Sequence, residues 1–505
     1  MSAAAVAGEP AVFDPSRDRF ETVLGWLQST EAGRLSHGEL ETRLADDARE
    51  LFRQLLQDHL TLRAHNEPRV ASVVAVDGSS RGTVETGHTR ALATVFGPVE
   101  VARRAYRARQ HSNLHPADAA LNLPAEKHSH GLRRLAALEG ARGSFDDTVE
   151  AIERGCGQSL GKRQVEDLAA RGAVDFDDFY TTRRRSLCDV EDTLVLSCDG
   201  KGIVMLPDSL RDATRKAAAT STHKVPGRLS RGEKRGRKRM AEVGAVYDAA
   251  PAPRRPDQIM APPDTAGDRA PPPSGPVAAN KWLTASVVDN AATVVAAIFD
   301  EGDRRDPDHV RTWVALVDGN NHQIDRITTE AADRGIEVAI VIDFVHVLEY
   351  LWSAAWSFHD EGDPAAQRWV AAKATDVLAG HARKVATSIR RKATRDRLDP
   401  SRRANADRCA RYLVNKADHL DYPTALASGW PIATGIIEGA CRHLVKDRMD
   451  LTGARWSLTG AEAILKLRAI HSNGDFDDYW HYHLAQEHRR VHQSRYADGI
   501  IPQAA

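Results

Sequence analysis

The sequence has few cysteines, no long apolar run and almost no net charge. Only five of its 505 residues are cysteine, and none belongs to a C-x-x-C pair, which argues against a zinc ribbon and a disulfide scaffold. No apolar run approaches the roughly 18 residues that span a membrane. The N-terminal segment lacks the basic stretch and apolar core of a signal peptide. These absences predict a cytoplasmic protein with no membrane partner.

The charge is balanced overall but uneven along the chain. Lysine and arginine number 69 against 70 acidic residues, so the chain as a whole is not a basic nucleic-acid binder. Residues 211–239 nevertheless hold eleven Lys/Arg and two acids, and residues 383–411 hold eleven and three. A solvated surface and a phosphate-binding surface both fit such runs. The densest stretch supplies five candidate DNA-binding residues: Lys234, Arg235, Arg237, Lys238 and Arg239.

Helical and β-type patterns alternate in the N-terminal part of the chain. Apolar residues recur at helical spacing in 20–66 and again in 131–172. Between them, residues 69–109 are rich in β-branched residues and contain a Gly-Pro turn. The pattern predicts two helical regions separated by a small β-rich module.

The second helical region has the layout of a helix-turn-helix. Ser144 is suited to cap a helix that begins at Phe145, and glycines at 155 and 157 separate it from a helix at 161–171. The second helix begins with three residues that can reach bases or phosphates: Lys162, Arg163 and Gln164. An ordinary helical hairpin has the same pattern.

Three apolar segments with strand character each lead to an aspartate. The strands end at Asp199, Asp318 and Asp343, and a helix predicted for 435–449 carries Glu438 beside its apolar face. Because strand ends share one edge of an open α/β sheet, we expect Asp199, Asp318 and Glu438 to converge there. Asp343 is a rival for the second acid, and the Asp-Gly pairs also fit ordinary turns.

Three converging carboxylates suit a pair of divalent metal ions about 3.5–4 Å apart. Hard oxygen ligands fit Mg²⁺ or Mn²⁺ and not zinc. One ion would activate water or a 3′-hydroxyl, and the other would stabilise the leaving oxygen of a phosphodiester. The sequence therefore predicts a two-metal site formed by Asp199, Asp318 and Glu438.

Several sequence blocks occur together in a characteristic order. They are DGKG at 199–202, ALVDGN at 315–320, IDFVHVLEYLW at 342–352, GIIEGACRH at 435–443 and GARW at 453–456. In these blocks the chain resembles the ISKra family of bacterial insertion-sequence transposases, which is related to the Mutator-like DDE transposases. The resemblance extends over roughly residues 20–485.

The resemblance implies roles for individual residues. Asp199, Asp318 and Glu438 match the catalytic, metal-binding acids. Asp343 and His346 match an auxiliary motif after the second acid, which shapes the core or holds DNA. The candidate DNA contacts around the catalytic helix are Arg442, Arg455 and Trp456, of which Arg455 suits a phosphate and Trp456 suits either base stacking or packing.

The resemblance also implies an α/β fold. Its catalytic core is RNase H-like (retroviral-integrase-type) with an all-helical insertion, and a mainly helical DNA-binding region with a small β-rich module precedes it. The predicted domains are an N-terminal helical region (1–66), the β-rich module (67–125), a helix-turn-helix-like region (126–190), the first part of the core (191–358, with basic and Pro-rich loops at 207–280), the helical insertion (359–428), the second part of the core (429–485) and a C-terminal tail (486–505).

The function implied is that of a DDE transposase. Such an enzyme binds the terminal inverted repeats of an insertion sequence and catalyses metal-dependent DNA cleavage and strand transfer. Its partners would be double-stranded DNA, at the transposon ends and the target, and further copies of the chain on that DNA. Its location would be the bacterial cytoplasm, at the nucleoid. Two alternatives are a transposase-derived DNA-binding protein without catalysis and an RNase H-like nuclease, neither of which would perform strand transfer.

Overall fold

The chain forms two compact units, one of which is discontinuous in sequence. The computed structural model describes residues 12–183, 189–220, 237–260, 274–451 and 453–502. The first unit comprises Met1–Thr181 together with Asp475–Ala505, and the second comprises Thr182–Gly474. In the structure the chain returns to the first unit at Asp475.

The first unit begins with a helical hairpin that packs against a long β-hairpin. Its elements are α1 (Asp14–Leu27), α2 (His37–His65), β1 (Val73–Val74), β2 (Ser80–Arg81), β3 (Thr83–Thr94), β4 (Gly97–Arg107), α3 (Pro116–Ala120), α4 (His130–Arg142), α5 (Phe145–Cys156), α6 (Lys162–Gly172), α7 (Phe176–Thr182) and, from the C-terminal segment, α20 (Phe476–Val491). Leu60 of α2 packs against Leu92, Val99 and Val101 of the β3–β4 hairpin. The predicted β-rich module is thus a hairpin that one face of α2 covers.

Helices α4, α5 and α6 share one apolar core. Leu132 and Ala136 of α4 pack with Ile152 of α5 and with Val165 and Leu168 of α6. The predicted cap is present, since the Ser144 hydroxyl accepts from the Asp147 amide at 3.0 Å while the Asp147 carboxylate accepts from the Ser144 amide at 2.9 Å. The left-handed conformation of Gly157 (φ 70°) ends α5. The helix–turn–helix order predicted from the sequence is confirmed at the level of secondary structure.

Helix α20 is held to the rest of the first unit by buried polar contacts. The guanidinium of Arg133, which is 1% exposed, donates to Glu487 at 2.7 Å and to Nε2 of His483 at 3.2 Å. The carboxylate of Asp175 lies 2.6 Å from Nδ1 of His483 and accepts two hydrogen bonds from Arg490. These contacts satisfy charges that would otherwise be costly to bury.

The second unit is built on a five-stranded mixed sheet. Its strands are β5 (Thr193–Val204), β6 (Lys238–Ala249), β7 (Ala278–Ser286), β8 (Trp313–Val317) and β9 (Val338–Ile342), in the spatial order β7-β6-β5-β8-β9. The β7-β6-β5 pairs are antiparallel, whereas β5-β8 and β8-β9 are parallel. All five residues of β8 are buried, as expected of a central parallel strand.

The prediction that β5 ends at Asp199-Gly200 is wrong. The strand continues to Val204, because Gly200, Gly202 and Val204 remain paired with β6, where Val204 lies opposite Lys238. The parallel pairing with β8 nevertheless stops at Leu196. Asp199 therefore lies just beyond the point where β5 and β8 separate.

The helices of the second unit flank the sheet and form a separate helical segment. They are α8 (Asp212–Ala219), α9 (Pro256–Ile259), α10 (Ala291–Arg305), α11 (Asn321–Arg334), α12 (Phe344–Ala355), α13 (Pro364–Leu378), α14 (Ala382–Arg395), α15 (Pro400–Asn415), α16 (Tyr422–Ala427), α17 (Gly435–Ala440), α18 (Asp447–Met449) and α19 (Leu458–Ser472). A π-helical segment, Cys441–Lys446, joins α17 to α18. Helices α13 to α16 lie between β9 and α17 in sequence, where a helical insertion was predicted. No helix among the described residues combines the length and apolar character needed to cross a bilayer.

Candidate active site

Three aspartates occupy matching positions at one edge of the sheet. Continued past its last paired residues, the parallel register of β5 and β8 aligns Asp199 with Asp318. The parallel register of β8 and β9, continued by one residue, aligns Asp318 with Asp343. Neighbouring strands lie about 4.8 Å apart. The three aspartates therefore lie side by side on three adjacent strands, with Asp199 inside β5 and with Asp318 and Asp343 directly after the last residues of β8 and β9.

The alternation of side chains puts Asp199 on the face of the sheet away from α10. Cys198 pairs with Gly244, where an added Cβ would lie 2.5 Å from the Ile298 side chain of α10. Cys198 therefore faces α10, and the next residue, Asp199, faces the opposite side. In agreement with this, the Asp199 carboxylate meets Cys441, which follows α17, on that opposite side.

Helix α17 and the π-helical segment cross the edge that holds the aspartates. Before the helix, the Thr434 hydroxyl donates to the Asp343 carboxylate at the end of β9. Seven residues later, the Cys441 thiol donates to Oδ2 of Asp199 at 3.3 Å. Seven residues of helix rise about 10 Å, which matches two strand spacings of about 4.8 Å. Contacts from Thr434 and Cys441 thus connect the two ends of this segment to β9 and β5, and α17 itself packs against β5 and β6.

A possible metal-ligand group forms around Glu438. One ligand atom each from Asp343, His346 and Glu438 lies within 4.8 Å of the other two. Asp343 is fully buried, His346 is half-buried and Glu438 is exposed, so the group opens towards solvent. Asp199 and Asp318 fall outside this group. Asp343 and His346 were predicted to shape the core or hold DNA, whereas the structure brings them together with Glu438.

Hydrogen bonds fix the orientation of the residues in this group. The Asp343 carboxylate accepts from the Val345 amide at 2.8 Å and from the Thr434 hydroxyl. The same hydroxyl lies 3.2 Å from Oε1 of Glu438, and with one proton it can donate to only one carboxylate at a time. Nδ1 of His346 lies 3.0 Å from the Glu349 carboxylate, which leaves Nε2 as the available ring nitrogen. Two carboxylates this close favour a cation between them.

Asp199 and Asp318 are half-buried, and each accepts a hydrogen bond from nearby backbone. The Gly200 amide donates to Asp199 at 2.7 Å, and the Asn320 amide donates to Asp318 at 2.8 Å. Burial, together with the carboxylates of Glu242, Asp199 and Asp318, raises the pKa of the Cys198 thiol to about 12. Burial is the larger cause of this pKa shift, and the negative potential of the carboxylates adds to it.

Three residues near the aspartates carry no sequence signal. Thr434 contacts Asp343 across 91 residues of sequence. Lys416, at the end of α15, donates to the Asn321 side chain, and burial lowers the pKa of its ammonium group while Asp318 raises it. Glu242 lies opposite Gly200 in the β5–β6 ladder, and its pKa is raised by burial. None belongs to a motif, because each is defined by a partner distant in sequence.

The residues predicted to bind DNA at the start of α6 have different environments. Lys162 is exposed and pairs with Asp146 at 2.6 Å, while Arg163 is exposed on the same first turn. Gln164 is already engaged, because its side-chain oxygen accepts from the Gly161 amide at 2.9 Å and caps the helix. Two cations are therefore accessible on this turn, and the amide has a structural role.

The basic segment 211–239 is described only in part. Lys234 and Arg235 lie outside the described residues. Arg237 is half-buried, and Lys238 is exposed and lies 3.6 Å from Asp450. The guanidinium of Arg239 donates to the Val287 carbonyl at 2.7 Å, so it stabilises the strand and its neighbouring loop.

The residues after the Glu438 helix also divide into exposed and buried ones. Arg442 and Arg455 are exposed, and Arg442 lies 3.6 Å from Asp447. Trp456 is 5% exposed, its indole donates to the Met449 carbonyl at 3.1 Å, and the Arg448 guanidinium covers its ring at 4.7 Å. Of the two roles considered for Trp456, the structure favours packing, because base stacking needs an open ring face.

The second unit is thus a mixed α/β fold with an acidic edge on a five-stranded sheet. No protein-family model and no curated protein matches the chain. Among solved structures, the Drosophila P element transposase strand transfer complex is similar at 10% identity, over 74% of this chain and 81% of that chain, with a TM-score of 0.24. A likeness at this TM-score does not establish a shared fold or function.

Proposed function

We propose that this protein is a DDE transposase of the ISKra type within the Mutator-like group. The second unit would be its RNase H-like core, and α13 to α16 its helical insertion. The observation that carries the proposal is the alignment of Asp199, Asp318 and Asp343 on three adjacent strands, with contacts to Asp343 and Asp199 from the residues on either side of the helix that bears Glu438. Acidic residues at this edge suit chemistry on phosphodiesters.

The residues at the sheet edge fit a divalent metal centre. The donors are carboxylate oxygens with one imidazole, a set that suits Mg²⁺ or Mn²⁺. Two ions held by Asp199, Asp318 and Glu438, with Asp343 and His346 as further ligands, would polarise the scissile phosphate and activate water or a 3′-hydroxyl. Thr434 would orient Glu438 and Asp343, since its hydroxyl contacts both carboxylates.

The reaction would comprise two in-line displacements. Hydrolysis frees a 3′-hydroxyl at the transposon end, and that hydroxyl then attacks a phosphodiester of target DNA. The chain would hold the transposon ends through the exposed cations of α6, Lys162 and Arg163, and would act as an oligomer that cuts two ends together. Exposed Arg442 and Arg455 would contact phosphates near the site.

Four single substitutions test the catalytic assignment. We expect Asp199→Asn, Asp318→Asn and Glu438→Gln each to lower the rate of end cleavage at least about a hundredfold, with DNA affinity largely unchanged, because each removes a metal-binding charge. Asp343→Asn tests the rival for the second acid. Asp333→Asn, an exposed change on α11, is the matched control and should keep full activity.

The outcomes separate the alternatives. Cleavage by Asp318→Asn at the wild-type rate, combined with loss in Asp343→Asn, would assign the second acid to Asp343. A wild-type protein that binds DNA but never cleaves it with Mg²⁺ or Mn²⁺ would be a DNA-binding protein without catalysis. Cleavage of branched nucleic acid without strand transfer would identify an RNase H-like nuclease.

A further inference from the structure

The helical segment between β9 and α17 contains a groove lined by cations. Helices α13 and α14 form a hairpin around a turn in which Gly380 has a φ of 83°. The groove has a volume of about 930 Å³, and its lining contains no acidic residue. Six cations line it: Lys373, Arg383, Lys384, Arg391, Lys392 and Arg395.

Two of the six cations have no ion-pair partner among the described residues, whereas Lys373, Arg383, Lys392 and Arg395 each pair with an aspartate. Arg383 lies 3.0 Å from Asp418, and Lys392 lies 2.8 Å from Asp396. Lys384 and Arg391 are exposed and have no ion-pair partner in the part of the chain that the structure describes. Unpaired, exposed cations on one helix face favour an anionic ligand.

The dimensions of the groove suit a polymer of phosphates. Lys384, Arg391 and Arg395 recur at seven- and four-residue spacing on one face of α14, opposite the buried Val385 and Ile389. From Lys384 to Arg395 the helix rises about 16 Å. A single phosphate would use only a fraction of this surface.

An aromatic side chain lies on the opposite wall. Trp369 of α13 lines the groove and is half-buried, with its ring 5.6 Å from that of Phe358. The Lys392 ammonium lies 4.9 Å from the Phe358 ring, so the aromatic pair and the cations form one surface. A cationic track with an accessible aromatic ring is the arrangement that binds unpaired bases by stacking.

We propose that the groove between α13 and α14 binds a single strand of DNA, with Lys384 and Arg391 on its phosphates and Trp369 against an unpaired base. The choice of DNA rests on the proposed function, in which strands are cut and freed at the core. The basic segment predicted at 383–411 is thereby divided: α14 binds the strand, whereas the cations of α15 outside the groove do not.

Direct binding of short oligonucleotides to the full-length protein tests this proposal. Fluorescence anisotropy would follow fluorescein-labelled (dT)₁₂, (rU)₁₂ and a 12-bp duplex in EDTA over a range of salt concentrations. We expect the double variant Lys384→Ala/Arg391→Ala to bind (dT)₁₂ about tenfold more weakly and to lose about 1.4 from its log–log salt slope, about 0.7 for each contact. The control Arg408→Ala/Arg411→Ala removes the same charge from exposed positions on α15 and should leave affinity and slope unchanged.

The aromatic contact has its own test. We expect Trp369→Leu to weaken (dT)₁₂ binding about tenfold at an unchanged salt slope, and to leave duplex binding unaffected. The proposal would be overturned if the control variant lost as much (dT)₁₂ affinity as Lys384→Ala/Arg391→Ala. It would also be overturned if Trp369→Leu bound (dT)₁₂ with wild-type affinity. Tighter binding of (rU)₁₂ than of (dT)₁₂ would also contradict it.

The outcome of this binding test does not depend on whether the protein is catalytically active. Binding is measured without divalent metal, so an inactive core leaves the groove assignment intact. Loss of (dT)₁₂ binding in the groove variants would support the groove proposal. Loss of cleavage in Asp199→Asn would separately support the catalytic proposal. Thermal unfolding of each variant shows that the hairpin is still folded.

Discussion

His346 contributes the only nitrogen to a ligand group whose other members, Asp343 and Glu438, offer carboxylate oxygens. Imidazole is a better ligand for Mn²⁺ and other transition metals than for Mg²⁺, which prefers oxygen. The contact between His346 and Glu349 fixes the ring, as carboxylates often do for histidines that bind metal. In the proposed metal site, this single residue would set which ion is preferred.

Removal of the imidazole should change the metal preference. We expect His346→Ala to lower Mn²⁺-supported cleavage about tenfold more than Mg²⁺-supported cleavage. Glu349→Gln keeps the ring but weakens its orientation, so its effect should be smaller and in the same direction. Initial rates of end cleavage with each ion provide the measurement. Equal losses with both ions would exclude His346 as a metal ligand.

The positions of the three aspartates after apolar strand segments could be predicted from the sequence. The contacts that other side chains make near them could not. Each of Asp199, Asp318 and Asp343 follows an apolar run, so the local pattern was sufficient to mark them. Thr434 and Lys416 act through partners 91 and 95 residues away, and neither residue type is unusual at its position. Such roles depend on tertiary contacts that no local pattern encodes.

At the scale of elements, the capping contacts at the start of α5 connect this helix to the turn that follows α4. The side chains of Ser144 and Asp147 satisfy each other's amides, which would otherwise lack partners at the helix start. We expect Ser144→Ala to lower the free energy of unfolding by about 1 kcal/mol.

Chemical denaturation, combined with hydrogen exchange of the α5 amides, measures this loss. Ser159→Ala is the control, since Ser159 is exposed in the turn between α5 and α6 and makes no hydrogen bond in the described structure. A stability loss in Ser159→Ala that equals the loss in Ser144→Ala would show that the cap contributes nothing specific.

Element types were easier to predict than element ends. The buried strand β8 ends directly before Asp318, as predicted, because an apolar run followed by polar residues defines its end. The strand β5 extends beyond Asp199 since its final residues pair with β6, whose approach depends on the intervening chain. The glycines at 200 and 202 favoured a turn locally, and long-range pairing overrode that preference.

At the scale of the whole molecule, the first unit depends on a segment that follows the second unit in sequence. Glu487 of α20 pairs with Arg133, and although burial raises the pKa of this carboxyl group, the hydrogen bond from Arg133 lowers it below its usual value. Both side chains are buried, so loss of one partner leaves the other charge without compensation.

The Arg133–Glu487 pair should therefore control the stability of the first unit alone. We expect Glu487→Ala to lower its free energy of unfolding by about 3 kcal/mol. Hydrogen exchange should report lost protection in α4 and α6, while β5, β8 and β9 keep theirs. Arg489→Ala, an exposed neighbour on α20, is the control. An equal loss of hydrogen-exchange protection in both units would contradict an effect confined to the first unit.

The discontinuous first unit also has a consequence for synthesis on the ribosome. Its N-terminal segment emerges first but must wait for α20, which is made only after the residues from Thr182 to Gly474. At about 5–20 residues per second, the delay is roughly 15 to 60 s. During that time the nascent chain exposes the apolar and charged surface that α20 later covers. A transcript cut short before codon 475 would yield the complete five-stranded sheet attached to an unfinished first unit, a product suited to recognition by chaperones and proteases.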